Sequence, residues 1–243
     1  MRSALFVAAI LLSVGAQAQI LFDSVADFSG TQGHNNLYYG YYNKTLDGGA
    51  SAVYNHTTDF TLMSTFASSH SLQAFATAPA WVVDDRVGGV WTMLWANGGH
   101  GNGILTSGGR QSVEHFAIRR WISNFNGVIQ LSGKLAKLDP STSGNGTALL
   151  LYKNSVNIAA TGPVTTLSGV TYSVQTNVIV GDVLDFFLDP YAANDLGDSS
   201  MLTATGEVVP EPATLLMSAV AAATVFRKKV SKRKSKASTQ PEV

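Results

Sequence analysis

GVIQLSGKLAKL, residues 127–138, sets Ile129, Leu131, Gly133 and Leu135 against Val128, Gln130, Ser132 and Lys134. That period of two predicts a half-buried strand, because successive side chains of a strand point to opposite faces. DVLDFFLD (182–189) repeats the pattern, with Leu184, Phe186 and Leu188 against Val183, Asp185, Phe187 and Asp189. VEHFAIRRWIS (113–123), TALLLYKNSVNIAA (147–160), TYSVQTNVIV (171–180) and MLTATGEV (201–208) have the same character, each read as one strand. Further candidates are LYYGYYN (37–43), DFTLMSTF (59–66) and VWTMLWA (90–96). Turn chemistry separates them at Asp139-Pro140, Ser143-Gly144-Asn145-Gly146, Thr161-Gly162-Pro163 and Gly181-Asp182. SSHSLQAFATAPA (68–80) reads as a short helix or a loop, and NGGHGNG (97–103) as a flexible loop. Many short strands at near-regular spacing, with no alternation of strand and helix, predict an all-β fold. The expectation is an antiparallel β-sandwich or jelly roll over residues 19–207.

The formal net charge is zero, but it is unevenly placed. Residues 227–236 hold seven of the sixteen basic residues and Arg2 is another. Residues 19–209 keep eight basic against fourteen acidic side chains, a net charge of −6. An acidic body argues against nucleic acid, whose phosphates require a basic surface. There is no cysteine, which excludes disulfides, thiolate metal sites and a cysteine nucleophile.

The two ends carry targeting chemistry. Arg2 precedes an apolar run from Ala4 to Val14, and Ala16-Gln17-Ala18 supplies a small-x-small cleavage pattern. This predicts a secretory signal peptide over 1–18, cut by signal peptidase after Ala18. At the other end, Ala213 to Phe226 has no charge. As a helix it would be about 21 Å long, short of the roughly 30 Å hydrocarbon core. Snorkelling by Arg227 and Lys228 and local thinning of the bilayer would close the gap. The basic cluster would stay on the cytoplasmic side, and Pro210 and Pro212 would stop the helix from running back into the body. The reading is a single transmembrane helix within a segment 208–230, followed by a basic, polar tail over 231–243.

Val209-Pro210-Glu211-Pro212, the apolar run and Arg227-Lys228-Lys229 together resemble the PEP-CTERM sorting signal. Such signals occur in Gram-negative bacteria that make extracellular polysaccharide. The resemblance implies an exosortase-type membrane enzyme as partner, with Pro210, Glu211 and Pro212 as the motif it recognises. It implies export, transient anchoring in the inner membrane, and delivery to the cell surface or extracellular matrix. Such signals usually end just after the basic cluster, whereas this chain continues from Val230 to Val243. A second, pattern-level resemblance runs through the body. Arg120-Trp121, GVIQLSGKLAKLD, LLLYKNSV, VGDVLDFFLDP, GDSSMLTATGEV and the aromatic opening NNLYYGYYN look like a carbohydrate-binding-module-like sandwich of exported bacterial proteins.

Candidate sites follow from the aromatics and the carboxylates. In a strand, Tyr39 and Tyr41 share one face and Tyr38, Gly40 and Tyr42 the other. Sugars stack on such rings, so Tyr39 and Tyr41, with Trp81 and Trp95, are the candidate glycan-binding residues. The competing reading for each ring is ordinary sandwich core. Asp189, Asp195 and Asp198 lie in DPYAANDLGDSS, which could wrap a calcium ion with backbone carbonyls. The simpler alternative is Asx capping of a loop. The histidines show no ligand spacing, and no nucleophile elbow or phosphate loop is present. The expected function is therefore that of an exported, non-catalytic protein that associates with extracellular polysaccharide. The alternatives are a self-assembling structural matrix protein, and then a secreted polysaccharide-acting enzyme.

Overall fold

The computed structural model describes residues 19–72, 76–83, 89–104, 110–191 and 194–209. The expected signal peptide with Ala16 and Ala18, the expected sorting motif Pro210, Glu211 and Pro212, the helix expected after it, and Arg227, Lys228 and Lys229 lie outside the described residues. Among the described residues, no helix is long and apolar enough to cross a membrane. The described body falls within one compact unit, Gln19–Val208.

Fourteen strands are described. They are β1 (Ile20–Asp23), β2 (Leu37–Asn43), β3 (Thr61–Leu62), β4 (Thr65–Ser71), β5 (Thr77–Val82), β6 (Met93–Trp95) and β7 (Gly98–His100), then β8 (His115–Ile122), β9 (Gly127–Lys137), β10 (Ala148–Lys153), β11 (Val156–Ala160), β12 (Val170–Val178), β13 (Val183–Asp189) and β14 (Ser200–Val208). Eight form one sheet in the order β12-β9-β14-β7-β6-β5-β4, with β1 also on β14. The other six form a second sheet in the order β11-β10-β13-β8-β2-β3. Every pairing of strands is antiparallel. The molecule is thus an all-β, two-sheet antiparallel sandwich.

The period-two readings place the core. Ile129, Leu131 and Leu135 of β9 face Leu184, Phe186 and Leu188 of β13 within one buried cluster, joined by Trp121, Leu149, Leu202 and Phe22. All three buried clusters draw on residues between Phe22 and Ala204, so this unit carries its own core. Arg119 joins the sheets through polar contacts. It projects inward from β8 and is 1% exposed. It donates to the carbonyls of Ser24 and Ala96 at 3.0 and 2.7 Å, to that of Gly98 at 2.9 Å, and to that of Trp95. Burial lowers its pKa to about 10, which leaves it charged at neutral pH.

Several local readings are corrected. TALLLYKNSVNIAA is two strands, β10 and β11, turned at Asn154 and Ser155. Both have left-handed φ (47° and 71°), the geometry of a two-residue hairpin turn whose twist matches the strands. Residues 68–80, where described, are mainly strand, the end of β4 and most of β5 paired antiparallel, with Leu72 and Ala76 outside the strands. NGGHGNG contains β7, paired with β6 on one side and β14 on the other. Its glycines are needed there: a Cβ at Gly98 would lie 2.7 Å from the Trp95 ring nitrogen, and one at Gly99 would lie 2.6 Å from Leu188. DFTLMSTF splits between β3 and β4.

Candidate functional site

Three of the four aromatic side chains expected to face a glycan are in the core. Tyr39, Trp81 and Trp95 are 0%, 5% and 2% exposed. Tyr39 stacks on Trp81 with ring centroids 5.9 Å apart. The physical reason is parity. Leu37 and Tyr39 share the inward face of β2, and the facing sheet closes over them. Tyr41, on the same face, is partly buried against that cluster and lies 4.8 Å from the His115 ring. These four residues do not form an exposed stacking row.

The expected calcium ligands are also otherwise engaged. Asp195 receives both terminal nitrogens of Arg110 at 2.5 Å, and its Oδ2 also accepts the Gly103 N–H at 2.8 Å. The guanidinium lies 4.3 Å from the centre of the Trp91 ring. Burial alone would raise the Asp195 carboxyl, but the bonds from Arg110, with His100 and Gly103, hold it below the usual range. The chain's own guanidinium takes the place of a metal cation. Asp198 accepts the N–H groups of Asn145 and Gly146 at 3.1 to 3.2 Å. Asp189 accepts the Tyr191 N–H at 2.7 Å. Among the described residues, no group of three or more His, Cys, Asp or Glu side chains could hold a metal ion.

A second aromatic cluster lies on the outer face of the six-stranded sheet and is itself buried, with Tyr42, Tyr54, Phe116 and Phe187 at 3%, 6%, 4% and 1% exposed. Tyr42 of β2, Phe116 and Ile118 of β8 and Phe187 of β13 all point outward, and the chain after β2 returns across them through Tyr54. Phe60 packs directly on Gly40, where a Cβ would lie 2.5 Å from its ring. An ion-paired network fixes this covering segment. Arg120 donates to both oxygens of Asp185 at 2.8 and 2.9 Å, to the Tyr54 hydroxyl at 3.0 Å and to the His56 carbonyl at 2.8 Å. The Tyr54 hydroxyl donates to Asp185 Oδ2 at 2.7 Å. Arg120 also sits 3.7 Å over the Phe60 ring. Burial first, and then the charge of Asp185, raises the Tyr54 hydroxyl far above its ordinary pKa.

Between this segment and the sheet lies a recess of about 210 Å³, lined in part by Tyr42, Tyr54, Tyr152, Phe187, Lys44 and Asp189. Lys44 pairs with Glu114 at 3.1 Å. The Asp189 carboxyl is pushed up to about 6, first by burial and then by Glu114, with Tyr191 and Lys44 acting in the other sense. A second recess of about 220 Å³ shares Tyr42 and includes Asp47 and Asp59. The Tyr42 hydroxyl donates to Asp47 Oδ2 at 2.6 Å. Of the rings lining the first recess, Tyr42, Tyr54, Phe116 and Phe187 are buried and Tyr152 is half-buried, so Tyr152 is the ring that a small polyhydroxyl group could meet beside the Lys44 ammonium and the Asp189 carboxyl. The sequence reading grouped Tyr42 with the other tyrosines of LYYGYYN but favoured the opposite face. Tyr54 and Tyr152 come from segments 98 residues apart and gave no sequence signal.

No family model matches the chain, and no curated protein matches it. Among solved structures, rabbit GITRL is similar over 61% of this chain and 97% of its own, at 11% identity and a TM-score of 0.26. The PRD1 vertex protein P5 is similar over 72% of this chain and 96% of its own, at 16% identity and a TM-score of 0.28.

Proposed function

We propose that this chain is an exported, non-catalytic β-sandwich protein, sorted through its C-terminal signal and associated with extracellular polysaccharide at the outer face of the six-stranded sheet. The observation that carries the reading is the tyrosine-lined recess of about 210 Å³ that includes Lys44 and Asp189. Drug-sized ligands fill about 300 Å³ or more, so a site of this size suits one ring or branch of a longer chain. Tyr152 is half-buried and is the least covered ring of the recess, while Lys44 and Asp189 supply a donor and an acceptor for hydroxyls. The targeting side of the reading rests on the signal peptide and on the run from Pro210 to Lys229, with an exosortase-type enzyme as the partner.

The test is a calorimetric titration of residues 19–209, the unit that holds its whole core, with the producing organism's exopolysaccharide. Saturable heat is expected, lost in Tyr152→Ala while circular dichroism and thermal melting hold. No heat at millimolar sugar units would overturn the glycan reading. Unchanged heat in Tyr152→Ala would move the site elsewhere.

A further inference from the structure

The sandwich ends on one side in two edge strands, β11 and β12, and both belong to a stretch from Asn154 to Gly181 that contains no charged residue. An open edge presents unpaired N–H and C=O groups, and proteins guard it with lysine, proline, bulges or short length. The other edges are guarded, and β1, paired only with β14, has four residues and a register shift between Ile20 and Phe22. β3 has two residues, β4 carries a register shift between Ala67 and His70, and β11 lies beyond a shift between Leu151 and Tyr152. β12 has nine residues, no proline, no charge and an unbroken register on β9.

The direction of its free groups follows from β9. The Lys137 N–H bonds on the β12 side, to the Thr166 carbonyl at 3.0 Å, and the Leu138 N–H on the β14 side, to the Ser199 carbonyl at 2.8 Å. Odd-numbered residues of β9 therefore bond toward β12, since successive residues of a strand bond to opposite sides. The residues opposite them, Val170, Tyr172, Val174 and Thr176, face β9. Thr171, Ser173, Gln175 and Asn177 direct their backbone groups away from it, and all four are exposed. The Asn177 carbonyl confirms this parity by accepting Lys153 Nζ at 2.5 Å from outside the strand pairing. Lys153 caps that end and leaves a free ladder at Thr171, Ser173 and Gln175.

We propose that β12 is a self-association edge, pairing antiparallel with β12 of a second copy about a two-fold axis at Ser173. In that register Thr171 lies opposite the second copy's Gln175, and Ser173 lies opposite itself. The contact makes about six hydrogen bonds, two for each directly opposed pair. The occupant is a second copy because the two-fold sets Thr171 against Gln175 and Ser173 against itself, and on a strand without charge no like charges meet. The register avoids the capped Asn177 carbonyl. The proposal does not depend on glycan binding, which uses the other sheet.

The chain has no cysteine, so an introduced thiol can pair only with another copy. In the proposed register the two Ser173 Cα atoms sit about 5.5 Å apart, within disulfide reach. The full chain carrying Ser173→Cys, in detergent, is oxidised mildly and run on a non-reducing gel. A disulfide dimer is expected. Val128→Cys, exposed on β9 away from the edge, serves as the collision control and should stay monomeric. Adding Thr171→Glu with Gln175→Glu sets carboxylates opposite each other and should abolish the dimer. Thr171→Glu with Gln175→Lys sets Glu opposite Lys in both directions and should restore it. The pairing is overturned if Ser173→Cys stays monomeric, if Val128→Cys cross-links as well, if the double Glu variant still cross-links, or if the Glu/Lys variant fails to recover. These side chains are exposed and make no core contact, and circular dichroism on each variant verifies the fold.

Discussion

Tyr172 crosses Gly133. From β12 its ring passes over the glycine of β9, and its hydroxyl donates to the Thr203 carbonyl on β14 at 2.8 Å. A Cβ at Gly133 would overlap that carbonyl oxygen and lie 2.5 Å from the hydroxyl. The glycine in the middle of the strand whose alternation defines the fold is therefore a gap that one side chain uses to bind two strands together. Gly133→Ala should destabilise the sandwich by about 1–3 kcal/mol through overpacking. Tyr172→Phe should cost about 1 kcal/mol through the lost hydrogen bond. Urea unfolding of each variant checks both, and a neutral Gly133→Ala would refute the close approach.

Arg119 ties the two sheets with no carboxylate beside it among its hydrogen-bond partners. Its contacts are carbonyls of Ser24, Trp95, Ala96 and Gly98. Arg119→Met would keep the volume but strand those acceptors in a dry interior. The expected loss is about 3 kcal/mol or more, read from the urea midpoint. A variant as stable as the parent would mean that water replaces the guanidinium without cost.

Arg110 and Asp195 form a buried pair in which each removes the other's desolvation cost. Asp195→Ala should cost about 3–5 kcal/mol because it leaves a buried cation, and replacing both partners by apolar residues should recover most of that. With its oxygens occupied, Asp195 offers nothing to calcium. Addition of millimolar calcium or of a chelator should leave the melting temperature of residues 19–209 unchanged. A rise with calcium would show that the loop reorganises around the ion.

The strands were legible where side chains alternate. LYYGYYN is β2 to the residue, and β9, β13, β12 and β14 fall within two residues of their sequence readings. β7 was not legible, because Gly98, Gly99 and His100 form a strand through backbone pairing on both sides and through lack of space for a Cβ. Alternation also cannot say which face of a strand turns inward. Tyr39 and Tyr42 are equivalent in the sequence. Sheet packing buries the first, and the return of the chain through Tyr54 and Phe60 buries the second on the opposite face. The recess depends on that return and on Arg120 reaching Asp185 and Tyr54, contacts between segments that no local pattern links.

Asp189 and Asp198 are both pushed up to about 6, in each case mainly by burial. In the unfolded chain an aspartate titrates near about 3.9. Between about 4 and 6 the folded protein therefore holds more protons at these sites than the unfolded chain. The stability they contribute is complete below about pH 4 and is lost as pH rises through about 6. Asp182 and Asp195, held below the usual range despite burial, act in the opposite sense: their contribution is present above about 4 and is lost as pH falls through their lowered values. Asp189→Asn cannot ionise, yet its amide oxygen can still accept the Tyr191 N–H. Relative to the parent, that variant should therefore gain stability as pH rises from about 4.5 to about 7.5, because the parent alone carries a buried charge at the upper end. Urea midpoints at the two pH values decide the matter. Equal shifts in both proteins would show that water reaches Asp189 and relieves the burial on which the raised value depends.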